Sequence, residues 1–399
     1  MSKRAKITIL CAVLTHLVNA STATLHAPCD AQSNPARLAN HRVLKCYPMG
    51  QYGPPRLLFI NNATVIFQDK RGLFWIGSPS GLYTYDEQRD QWADFNDPQD
   101  PRAFRSPAAV CEDGDGRIWL REYNKEFRFF DGQSWRTADK LAPPVPLPAD
   151  RSNMFSGIDG KVWFVTNSGL LTFDGERWAG PGLPPSSIDD AYARGPIAPK
   201  DQEDQERILR RAERQRELAR RQARAGKEVS TAPEPMARLL PNIFRGFQDR
   251  SGNVWLGARK AIVRLDPKKN DWTLMPPMGC AGIWVIYEDR RGRIWFADHE
   301  GHLSVFTPGA HDCRSYDLGV FFPQIQPKMI TSIYEDKDGQ IMVGTRAGGL
   351  VLFNEKDDRW RIVDRVTADL PLLSVTAIFE DNRGRIWIGM DDGLLVLEQ

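Results

Sequence analysis

Asp298-His299-Glu300-Gly301-His302 sets two imidazoles and two carboxylates within five residues. Metal ligation and proton transfer are the chemistries open to such a run. Metal ligation is disfavoured, because two histidines separated by two residues in a short hairpin project to displaced positions and no third ligand is suggested nearby. Proton transfer falls to His299, with Asp298 or Asp391 as the carboxylate partner. Asp113-Gly-Asp-Gly116 has the opening of a calcium loop without its remaining ligands. There is no Gly-x-Ser-x-Gly nucleophile elbow and no Cys/His spacing for zinc, so neither a cofactor nor a metal is expected. What remains is a scattered set of polar residues: Arg121, Tyr123, Asn167, Arg259, Lys260, Asp298, His299, Arg346 and Asp391. Taken singly, each reads as an ordinary solvated loop residue. As a group they offer donors, acceptors and both signs of charge, which suits a sugar or an anionic glycan.

Their positions acquire meaning from an internal repeat. The phrase Asp381-Asn-Arg-Gly-Arg-Ile-Trp387-Ile-Gly389 recurs with drift seven times, anchored on Trp75, Trp119, Trp163, Trp255, Trp295, Met342 and Trp387. Successive anchors are 44, 44, 92, 40, 47 and 45 residues apart, so one interval is doubled and the others fit a single unit. Three residues before each anchor stands a glycine, and eight before it an aromatic residue in six copies, with Cys111 in the seventh. In the first unit Ala63–Phe67 reads as a strand, Asp69–Gly72 as a turn, and Phe74–Ile76, Gly81–Tyr85 and Gln91–Phe95 as three further strands. Glycine supplies the positive φ of the turn, and aspartate bonds its own backbone two residues on. The fourth strands carry Trp92, Trp135, Trp178, Trp272, Tyr316 and Trp360.

A four-stranded meander that is apolar on both faces must be covered by its neighbours, and repeats of this period pack radially. The expected fold is therefore all-β: a seven-bladed β-propeller of four-stranded antiparallel blades. The seventh unit stops after three strands at Gln399, and Arg42–Tyr47 is the spare strand expected to complete it and close the ring. The doubled interval holds an insertion, about 184–241, between blades 3 and 4. Its centre, Asp201 to Ala225, reads as a charged helix with Glu206/Arg210 and Glu217/Arg221 four apart. In such a ring the loops joining second to third strands share one rim with the connections between blades. The polar set above falls on those loops and differs in every blade, as an asymmetric ligand requires.

The first 23 residues read as a signal peptide: a basic start, the apolar run Ile7 to Val18, and small residues for cleavage after Ala23. That run is short of the ~20 apolar residues of a membrane span and is interrupted by His16. Residues 24–41 form an N-terminal extension and 42–399 the propeller, so the mature chain is expected to be periplasmic or secreted and not inserted in a membrane. A formal charge of +2 leaves no electrostatic case for nucleic acid. After cleavage five cysteines remain; Cys111 reads as a buried thiol, while Cys29 with Cys46 or Cys280 with Cys313 could pair in an oxidising compartment.

The phrases Ile66-Phe-Gln-Asp-Lys-Arg-Gly-Leu-Phe-Trp-Ile-Gly77, Ile333-Tyr-Glu-Asp-Lys-Asp-Gly-Gln-Ile-Met-Val-Gly344 and Ile378-Phe-Glu-Asp-Asn-Arg-Gly-Arg-Ile-Trp-Ile-Gly389 resemble the two-component regulator propeller repeat. The resemblance spans nearly all of 42–399. It implies a sensor-type propeller of the kind found on the periplasmic side of hybrid histidine kinases, associated there with carbohydrate-like ligands. It departs at Gly157, where the turn aspartate is missing, at Met342, and after Gln399, where no further β domain, membrane helix or kinase follows. A non-catalytic protein recognising a small-molecule or glycan ligand, or a membrane sensor protein, is one expectation. A propeller lyase or hydrolase using His299 on a glycan or lactone is the other, since streptogramin-inactivating lyases are similar rings with a channel-side histidine.

Overall fold

The computed structural model describes residues 37–38, 41–48, 63–95, 104, 107–122, 127–144, 147, 153–166, 169–182, 243–258, 261–275, 280, 282–309, 312–323, 329–346, 348–363, 374–391 and 393–398. The signal segment, most of the extension, the 184–241 insertion, Tyr123, Asn167, Arg259 and Lys260 lie outside them.

Seven antiparallel sheets follow one another along the chain. Blade 1 comprises Val65–Gln68, Phe74–Ser78, Gly81–Asp86 and Gln91–Asp94, paired in chain order. Blades 2 to 6 repeat that meander, beginning at Pro107, Asn153, Ile243, Val285 and Ile330. Blade 7 has Val375–Glu380, Ile386–Met390 and Gly393–Glu398, and its fourth strand is His41–Pro48, from the other end of the chain. The pairing runs from Arg42 opposite Glu398 to Pro48 opposite Gly393, with an irregularity between Val43 and Lys45. Arg37–Leu38 adds a short fifth strand outside it.

Burial falls from the second strand outward. Every residue of the second strands is buried, whereas Gln91–Asp94 of the first blade's fourth strand is mostly exposed. First strands of consecutive blades touch in an unbroken circle, the last against the first, so they surround the central axis.

The repeated residues now have physical reasons. The glycine three before each anchor has φ between 75° and 90° in all seven blades, a region that side chains disfavour. The turn aspartate does more than bond its own backbone. Asp69, Asp113, Asp249, Asp289 and Asp381 each accept the anchor tryptophan's indole N–H at 2.8–3.1 Å. In blade 3, where Gly157 replaces the aspartate, the buried Trp163 Nε1 has no hydrogen-bond partner.

Blades are sewn together at both ends. Seven residues before the anchor, a Glu or Gln accepts a backbone N–H from the preceding blade's turn. These bonds run from Lys70 to Glu112, Ile158 to Gln248, Arg250 to Glu288, Arg290 to Glu335 and Asn382 to Gln68, at 2.5–3.0 Å. The last of these joins blade 7 to blade 1. There Trp387 also packs on Phe74, with ring centroids 4.3 Å apart, and Arg385 bridges to Glu87 at 2.5 and 2.7 Å. Cys111, Cys280 and Cys313 are thiols, so Cys280 and Cys313 are not joined in a disulfide. Burial pushes the Cys111 thiol up to about 12.

Candidate functional site

The rim is built most clearly between blades 5 and 6. The loop after Ile294–Ala297 carries Asp298 and His299, and the loop after Ile341–Thr345 carries Arg346. Met329, at the entrance to blade 6, joins them: its N–H donates to the His299 carbonyl at 2.8 Å, and its carbonyl accepts the Arg346 N–H at 3.1 Å. Met329 holds φ at 60°, a left-handed conformation unusual for a side chain of this size and one that clusters at functional sites.

Asp298 is fully buried and engaged locally. Its Oδ1 accepts the N–H groups of Glu300 and His302 at 2.8 and 2.9 Å, and its Oδ2 meets His302 Nδ1 at 2.8 Å. The arrangement copies the turn aspartates on the opposite face, so Asp298 shapes the loop that presents His299. On the other side, His302 Nε2 lies 3.9 Å from Asp317. The two histidines thus face different partners, as their spacing suggested.

His299 is half-buried. Its ring meets Trp284 edge-on, centroids 4.2 Å apart, and Trp284 in turn stacks on Phe244 at 4.7 Å and 9°. His299 Nδ1 is buried with no hydrogen-bond partner. Burial depresses its pKa below the ordinary 6.5; Asp298 and Glu300 pull the other way, and nearby Arg346 reinforces the burial. At neutral pH the imidazole is therefore uncharged, one nitrogen able to donate and the other to accept.

The remaining polar set divides. Arg346 is exposed beside His299, and Asp391 is half-buried in the turn between Met390 and Gly393. Arg121 belongs to the second strand of blade 2, Ile118–Glu122, and is 7% exposed. It sits two after its anchor, where blades 1, 4, 6 and 7 have glycine because the next blade packs there closely. Sequence reasoning placed it on the loop, whereas the strand continues through Glu122. It also passed over Trp284 and Phe244, whose signal was available in the alignment of the repeats: both stand eleven before their anchors, where the other five copies have Thr, Ala or Ser.

The repeat has a family. Residues 324–347 and 369–392 match the family described as Two component regulator propeller. Blades 6 and 7 are two-component regulator propeller repeats. No curated protein matches the chain. Among solved structures, the propeller resembles the extracellular domain assigned to hybrid two component system BT3049 from B. thetaiotaomicron, at 16% identity and TM-score 0.56 over 84% of this chain and 39% of that one. It also resembles virginiamycin B lyase from Staphylococcus aureus (12%, 0.55, covering 85% and 95%) and YCF48 from Cyanidioschyzon merolae (13%, 0.54, covering 84% and 95%). The chain thus spans well under half the length of the extracellular domain. At these identities the shared property is the seven-bladed repeat fold, which by itself assigns no chemistry. Among the described residues no helix is long and apolar enough to cross a membrane.

Proposed function

We propose that this propeller is a non-catalytic recognition module of the periplasmic or secreted side, a sensor-type domain that binds a small-molecule or glycan ligand, or a membrane sensor protein, on its loop rim. The observation that carries this reading is the Met329 junction, where a left-handed backbone ties His299 and Arg346 into one polar surface whose buried imidazole nitrogen lacks a partner. Asp298 holds that surface, while Arg259, Lys260, Asn167, Tyr123 and Asp391 extend it along the other blades in this reading. Arg121 supports it from the strand beneath. The likeness to extracellular domains assigned to two-component systems supports the same placement. Closure by the N-terminal strand, cleavage after residue 23 and a charged helical excursion at about 184–241 belong to the same proposal. Nothing in the charge balance favours nucleic acid.

The test is a thermal-shift screen of the mature protein against neutral and anionic oligosaccharides, repeated on His299→Gln and Arg346→Gln. A ligand that raises Tm in the wild type and not in either variant supports rim recognition; a ligand whose shift survives both variants refutes it. The resemblance to virginiamycin B lyase keeps a second reading in view, a lyase or hydrolase using His299. Turnover of a glycan or lactone by wild type that vanishes in His299→Gln would replace the recognition reading.

A further inference from the structure

Below the rim, the channel wall carries a second departure from the repeat. In each blade the residues eleven and ten before the anchor are Thr64/Val65, Ala108/Ala109, Ser152/Asn153, Phe244/Arg245, Trp284/Val285, Thr331/Ser332 and Thr376/Ala377. Their flanking neighbours in the described blades are buried, Ile378 excepted, while most of these pairs keep contact with water. They are therefore the part of each first strand that faces the axis. In blades 1, 6 and 7 the threonine hydroxyl donates to a carbonyl at the start of the next blade: Thr64 to Pro107, Thr331 to Val375 and Thr376 to Ala63, at 3.0, 2.7 and 2.8 Å. The wall there is small and uncharged, and its threonines are already bonded.

Blades 4 and 5 break that rule together. Phe244 and Trp284 replace the hydroxyl bridge with a parallel aromatic stack, and Trp284 keeps 36% of its surface exposed. Arg245 is the sole ionisable residue among the fourteen wall positions. A bulge at Phe244, between the Ile243–Ala258 and Arg245–Gly257 pairs, turns the strand at this point. Arg245 is exposed to water, and the protein packed around it lowers its pKa. It makes no hydrogen bond or ion pair among the described residues. An exposed guanidinium beside a flat apolar surface favours a partner that is anionic at one end and planar at the other.

We propose that the channel wall of blades 4 and 5 binds a planar aromatic carboxylate, with Arg245 taking the carboxylate and the Phe244–Trp284 stack taking the ring. A single guanidinium suits one carboxylate better than a phosphate dianion. A sugar ring in the same place needs many hydroxyl partners, and Phe244, Trp284 and Val285 offer none. This site adjoins the rim through the Trp284–His299 contact but takes its carboxylate and ring partners from the wall alone.

Titration of the full chain with indole-3-carboxylate, followed by Trp fluorescence and calorimetry, tests it. Indole, cyclohexanecarboxylate, inorganic phosphate and galacturonate serve as comparisons, and Arg359→Gln on the outer strand of blade 6 as a control variant. Saturable binding is expected, at least tenfold tighter than for indole or cyclohexanecarboxylate. It should weaken at least tenfold in Arg245→Gln and in Trp284→Leu, with far-UV CD retained and with no change in Arg359→Gln. Absence of saturable binding, equal affinity in Arg245→Gln, or tighter binding of phosphate or galacturonate overturns the proposal. So does a loss confined to Arg346→Gln, which leaves rim recognition standing and moves the carboxylate out of the channel.

Discussion

Replacing Asp381 by Ala should be among the most damaging single changes to this fold. Asp381 is 5% exposed and serves four donors: the N–H groups of Arg383 and Arg385 at 2.9 Å on Oδ1, and Arg385 Nε at 2.7 Å and the Trp387 indole at 2.8 Å on Oδ2. Removal strands the indole N–H of a fully buried tryptophan, at about 1–3 kcal/mol, and releases two turn amides at ~0.5–1.5 kcal/mol each. The total expected is about 2–6 kcal/mol, read as a lower urea midpoint at unchanged slope. Burial pushes the Asp381 carboxyl up, but bonds from the Trp387 indole and from Arg385 and Arg383 outweigh it and hold the carboxyl below its ordinary 3.8. A depressed folded value means that its contribution is present above pH 3.8 and is lost as pH falls through the folded value. The acid limb of the stability curve should therefore be shallower in Asp381→Ala. Blade 3 supplies the internal comparison, because Trp163 already lacks the acceptor. Trp163→Phe discards an unpaired N–H, whereas Trp387→Phe breaks a bond, so Trp387→Phe should cost ~1–2 kcal/mol more. A loss under about 1 kcal/mol for Asp381→Ala, or equal losses for the two tryptophans, would refute the view that the Asp–Trp bond stabilises each blade.

Three further outcomes are expected. In Gly389→Ala the new Cβ would lie 2.7 Å from the Ala63 backbone oxygen, forcing blades 7 and 1 apart, so chemical denaturation should show a loss of about 1–3 kcal/mol. Gly309→Ala, with open space at the same test, should be far milder. Burial raises the Cys111 and Cys280 thiols to about 12, so peptide mapping after alkylation at pH 8 should find both unmodified in the native protein and modified in urea. Deleting residues 41–48 leaves Gly393–Glu398 an unpaired edge, and light scattering should report aggregation together with a lower Tm.

Much of the blade was legible because its causes are local. A glycine at positive φ, an aspartate that caps its turn and a tryptophan at fixed spacing each act within a dozen residues, so they repeat wherever a blade repeats. Partnerships that cross from blade to blade were harder to read. The glutamates and glutamines seven before the anchors carry no local sign that they bind the preceding blade's turn. Arg121 looked like a loop residue because the end of a strand is set by pairing, here with Ala109, and not by composition.

From the chain alone came the number of blades and their strand order, with Arg42–Tyr47 as the strand expected to close the ring, because turn chemistry and apolar alternation are carried by neighbouring residues. Only the closed ring decided which side chains meet. It set Trp284 between Phe244 and His299 and tied His299 to Arg346 through Met329. The partners in these contacts are 15 to 47 positions apart in the chain, and only the radial packing of separate sheets brings them to one place.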